Sequence, residues 1–148
     1  MKRLSAVLAV ILVVSFTWGA APLAADEDPQ LYALGVVSAS NLYFSYLVLG
    51  TVADGFAAGG YGVDIATRLT QETIALTRSS VDALQALLDT GSVGGDDYNV
   101  VVGLIETHRL LLGQANGLLR YIDDPAQTSD FLRYRDLAWE QISALLNF

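Results

Sequence analysis

Apolar and polar residues along this chain divide it into five stretches of different character. Leu4 to Trp18 is an uncharged, mostly apolar run behind Met1-Lys2-Arg3, and Gly19 to Ala25 is a small-residue segment ending in Leu23-Ala24-Ala25. Charged start, apolar middle and small-residue end are the order of a secretory signal. The expected products are a signal peptide, residues 1–25, and a mature domain, residues 26–148.

Four further segments have helical length and period. The first runs from Pro29 to Phe56, with Asp28 as expected N-cap and Pro29 at the first helical position, and ends in the cluster Gly55, Gly59, Gly60, Gly62. The second runs from Val63 to Leu88 and the third from Asp97 to Ile122, capped by Asp96 or Asp97. The fourth is expected from Pro125 to Phe148, with Asp124 as its cap. Similar helices on short loops predict an all-α fold, an antiparallel up-down-up-down four-helix bundle preceded by a signal-peptide helix.

The helices differ in kind. Apolar residues gather on one side of the second and fourth, where Arg133, Asp136 and Glu140 share the opposite side. The first has no charge from Gln30 to Ala53, and the third carries apolar runs around most of its circumference. A helix apolar all round must be buried all round, so cover is expected from a second copy, a protein partner or a membrane. The alternative is that serines, tyrosines and glycines make the outer side of the first helix polar. At residues 30–53 that helix is long enough to span a bilayer, but Asn41 lies mid-segment and no Lys or Arg anchors either end.

Composition narrows the function classes. With 53% hydrophobic residues and a mean hydropathy of +0.42, the chain has the means for one packed core. Its formal charge of −8 becomes −10 when Lys2 and Arg3 leave with a leader that holds no acid. The remaining cations are Arg68, Arg78, Arg109, Arg120, Arg133 and Arg135, a poor endowment for nucleic acid. There is no cysteine, hence no disulfide, thiolate nucleophile or Cys-ligated metal.

Candidate chemistry centres on the lone His108, which helical spacing turns into the core. Antiparallel folding brings it level with Thr77 and Ser80 on the second helix, Asn41 on the first and Gln141 on the fourth. These five residues form an expected polar layer: a ligand floor, a haem-binding centre or, more simply, a satisfied core histidine. No second histidine or internal methionine supports haem, and no cofactor is expected. Glu106-x-His108 is the wrong spacing for a ferritin-like metal site. Asp96-Asp97 and Asp123-Asp124 read as helix-end carboxylates rather than acid/base pairs. The Asp89–Asp97 loop lacks the alternating ligands of a calcium loop. Tyr32, Tyr43 and Tyr46 suit an interface, since tyrosine joins an apolar ring to a hydroxyl, and the same chemistry suits the edge of an ordinary bundle core, the simpler reading.

No set of these residues resembles a known family. The reading is an exported, periplasmic or secreted, non-enzymatic bundle that binds itself, a protein partner or a small apolar ligand. The rivals are a haem protein, ligand-binding bundle or enzyme built on His108, and a small membrane protein with a spanning first helix.

Overall fold

The computed structural model describes residues 29–146, and among them four helices pack against one another with no strand. They are α1 (Pro29–Ala57), α2 (Val63–Asp89), α3 (Gly95–Asp123) and α4 (Ser129–Leu146). The expected signal peptide, its cleavage site and the Asp28 cap lie outside the described residues.

The end of α1 follows from its glycines. Gly59 adopts φ +72°, a left-handed conformation that costs glycine little. The Gly59 N–H donates to the Phe56 carbonyl at 3.0 Å and the Gly60 N–H to the Gly55 carbonyl at 2.8 Å. Those two bonds satisfy carbonyls that a helix end leaves free.

Two expected helix starts are corrected. Gly94 is the N-cap of α3, with no side-chain cap bond, and Asp96 and Asp97 lie inside the first turn, where carboxylates favour the helix dipole instead of capping. The fourth helix begins at Ser129, not Pro125. Asp124 ends α3 instead: its N–H donates to the Arg120 carbonyl, and its carbonyl accepts from Gln127 N–H across a turn containing Pro125. The Asp124 carboxylate accepts from the Ala126 N–H at 3.0 Å and from Gln127 Nε2 at 3.1 Å. These local bonds favour a turn over a new helix.

Contacts fix the helix directions. Asn41 meets Ser80 across α1 and α2, Phe56 meets Tyr121 edge-on across α1 and α3, and Tyr46 meets Trp139 across α1 and α4. Near the other end of α1, Leu31, Leu34 and Gly35 face Asp97, Val100, Val101 and Leu104, so α1 and α3 run the same way. Gly103 lies against Leu145 and Gly117 against the Phe131 backbone, so α3 and α4 run opposite ways. At Gly117 an added Cβ would lie 2.6 Å from the Phe131 nitrogen, and the absence of one lets α4 approach.

Only α1 and α3 touch every other helix; α2 and α4 do not meet. The bundle is therefore built on an α1–α3 pair with α2 and α4 on its flanks. The core joins Leu42 and Leu49 of α1, Leu84 of α2, Leu111 and Leu118 of α3, and Ile142 of α4. This arrangement meets most of the burial need of α3 within the chain: Val101, Leu104, Ile105, Leu111, Leu118 and Ile122 are all buried, while Tyr98 and Val100 near its start stay exposed. It leaves one side of α1 uncovered.

Candidate functional site

On α1 the expected sorting of side chains is reversed. Ser38 and Ser45 are buried, while Val37 is 66% exposed and Phe44 61% exposed. The hydroxyls of Ser38 and Ser45 thus face inward, and only half-buried Ser40 remains among the outward positions. Ala33, Val37, Phe44, Leu47, Val48 and Thr51 share the exposed side, with half-buried Ser40 between Val37 and Phe44, and form one stripe at helical spacing. The eighteen steps from Ala33 to Thr51, at about 1.5 Å each, make it about 27 Å long.

Exposed apolar side chains also occur on both flanking helices. Leu76 lies one turn from Ser80 on α2 and is 64% exposed, and on α4 the half-exposed Trp139 stacks against Tyr46 with centroids 5.4 Å apart. With neighbouring axes about 10 Å apart, the patch is roughly 20 Å wide. Its area is roughly 500 Å², within the range of the largest apolar patch on a typical monomer, which is often a functional one.

Of the expected interface tyrosines, only Tyr32 is exposed; Tyr43 and Tyr46 pack on the core of their own bundle. The outward residues that sequence reasoning missed, Val37, Phe44, Leu47 and Val48, gave no distinguishing signal. Nearly all of α1 is apolar, so its pattern does not say which side faces the core.

The polar layer is present in part. His108, Thr77 and Thr107 are fully buried, at 0%, 1% and 0% exposure. Thr77 and His108 lie 12 and 13 residues from the facing ends of α2 and α3, hence level. Yet each polar group turns to its own helix. Thr70, Thr73, Thr77 and Thr107 donate to the carbonyls of Ala66, Leu69, Thr73 and Gly103, four residues back. His108 Nδ1 lies 2.8 Å from the Leu104 carbonyl, which can only accept, so Nδ1 carries the proton. Burial pushes the His108 pKa below its ordinary 6.5, and this carbonyl bond offsets part of that shift. Nε2 is then a buried acceptor with no protein partner.

Asn41 and Ser80 do pair across helices: Asn41 Nδ2 donates to Ser80 Oγ at 2.7 Å, and Ser80 donates to the Leu76 carbonyl at 3.2 Å. Gln141 is corrected. It is exposed on α4 and takes no part in the layer. The buried glutamine is Gln114, at 0% exposure, which sequence reasoning passed over because polar side chains on an apolar helix default to its outer edge.

No group of three or more His, Asp or Glu that could hold a metal occurs among the described residues. The notch lined by Leu31, Leu34, Gly35, Asp97, Val100, Val101 and Leu104 encloses about 30 Å³, space for about one water molecule and too little for an apolar ligand. Scans against protein-family models, curated proteins and solved structures return no match. The functional reading therefore rests on the α1 patch and the polar interior.

By length and composition α1 could cross a membrane, and about a third of its most apolar stretch is buried. The helices packed on it carry exposed charges along their lengths, including Glu72, Arg78 and Asp82 on α2 and Arg133, Asp136 and Glu140 on α4. Each charge taken into hydrocarbon costs about 2.5–3.5 kcal/mol on insertion scales.

Proposed function

We propose that the protein is an exported, non-enzymatic helical bundle that acts by self-association, with the outer side of α1 packing on the same surface of a second copy. The observation that carries this reading is the inversion of α1: buried serines under an exposed row of Val37, Phe44, Leu47 and Val48. Exposing that row while burying hydroxyls is costly for a monomer. Covering it with another apolar surface removes the cost at roughly 25 cal/mol per Å².

A second copy fits better than the other occupants. The stretch from Leu31 to Ala53 carries no charge, so like stripes meet without repulsion, and a two-fold axis makes one patch serve both sides. Two patches of roughly 500 Å² give about 1,000 Å² in total, the lower end for a specific dimer. A bilayer is disfavoured by the charged flanking helices and by a net charge of −8, which anionic lipid repels. Export rests on the leader pattern of residues 1–25.

Light scattering coupled to size exclusion on residues 26–148, without detergent, tests the reading. A dimer is expected, and Phe44→Asp is expected to give a helical monomer. A wild-type monomer at tens of micromolar, or one that floats with lipid vesicles, overturns it.

A further inference from the structure

Gln114 is fully buried, and neither its amide nitrogen nor its carbonyl oxygen has a hydrogen-bond partner in the protein. A primary amide offers two donors and an oxygen with two lone pairs. Buried amides in folded proteins are bonded to something.

The surroundings offer little relief. Gln114 follows Gly113, where the Tyr134 ring lies 2.5 Å from an added Cβ, and precedes Gly117, where the α4 backbone closes in. It thus sits beside the tightest part of the α3–α4 seam. Thr107, two turns earlier on the same side of α3, spends its hydroxyl proton on Gly103. On α1, the shared direction with α3 and the Phe56–Tyr121 contact put Leu49 level with Gln114, and Leu49 is apolar.

We propose that Gln114 is a binding site for one internal water molecule where α1, α3 and α4 meet. The ligand class follows from the site. It must be neutral, because no described Asp, Glu, Arg or His is buried level with Gln114 to balance a charge. It must both donate and accept, because the amide presents both needs side by side. It must be small, because α4 is in close contact at Gly113 and Gly117. A single water can accept from one Nε2–H and donate to Oε1, closing a ring on the amide and meeting one need of each kind.

This inference is independent of self-association, since it concerns the interior. Its test is water-to-protein magnetisation transfer in the ¹⁵N-labelled mature chain, together with a high-resolution crystal structure. Cross-peaks between water and the Gln114 side-chain amide protons are expected, with the sign of a long-lived water, along with ordered density within hydrogen-bond distance of Nε2 and Oε1. In Gln114→Leu, the transfer from water to the neighbouring Leu118 methyl groups is expected to vanish. A Gln114 amide with no water cross-peak, or one bonded to a protein carbonyl or hydroxyl in the crystal, overturns the proposal.

Discussion

Gly117→Ala and Gly50→Ala are the same chemical change at helix-interior glycines, and the structure assigns them opposite signs. In a helix, alanine is favoured over glycine by about 1 kcal/mol. At Gly50 an added Cβ meets nothing within 4 Å, so Gly50→Ala should keep most of that gain. At Gly117 the added carbon would lie 2.6 Å from the Phe131 nitrogen, 2.7 Å from its Cα and 3.0 Å from the Asp130 carbonyl carbon. All three are backbone atoms, which no rotamer change removes. Reaching ordinary contact distance requires α4 to back away by most of an ångström along its first turn, which loosens buried Phe131. Overpacking of this kind costs about 1–3 kcal/mol. Set against the propensity gain, Gly117→Ala should lose up to about 2 kcal/mol. The two variants should then be separated by roughly 1–3 kcal/mol. For a domain of this size that is roughly 3–15 °C in melting temperature, measured by circular dichroism at 222 nm on the mature chain. Equal stabilisation by both substitutions would refute the account of the α3–α4 seam.

Acid should weaken the fold through His108. Its folded pKa lies below 6.5, so the unfolded chain binds the proton more readily, and stability falls as pH drops from about 6.5 toward the folded value, by at most ~1.4 kcal/mol per unit. Urea titrations between about pH 7 and 5 should show that slope in the wild type and a shallower one in His108→Leu, which at neutral pH should be as stable as the wild type or up to about 1 kcal/mol more stable; an unchanged slope would count against a neutral buried imidazole. Phe44→Cys, in a chain without cysteine, places a thiol near the middle of the exposed stripe. It should form a disulfide-linked dimer under mild oxidation, whereas Ala75→Cys on the solvent side of α2 should not. Hydrogen bonds from the Ala126 N–H and Gln127 hold the Asp124 carboxyl below the usual aspartate range, so an NMR titration should find it among the more acidic aspartates, and a value at or above that range would count against the turn.

Much of the fold can be read from the sequence because breakers and period agree. The Gly55–Gly62 cluster and the glycines after Asp89 lie where helices stop, and the one-sided apolar pattern of α2 and α4 matches their buried sides in part, with Leu76 and Leu132 left exposed. The Asp124-Pro125 boundary misled because a capping aspartate before proline and a turn-forming aspartate before proline are the same dipeptide. Only the hydrogen bonds to Ala126 and Gln127 distinguish them. The depth of His108 was legible from the apolar residues around it. That Gln114 is buried and Gln141 exposed was not, because the difference depends on where α4 lies against α3. The inverted side of α1 was likewise hidden by uniform apolarity.

Because α2 and α4 do not meet, each is held to the other only through α1 and α3. Asn41 holds α2 from one flank of α1 and Tyr46 holds α4 from the other, five residues apart. Any axial roll of α1 would therefore shift both tethers at once. Trp139, with its ring partly in solvent and against Tyr46, is placed to report such a shift as a change in fluorescence.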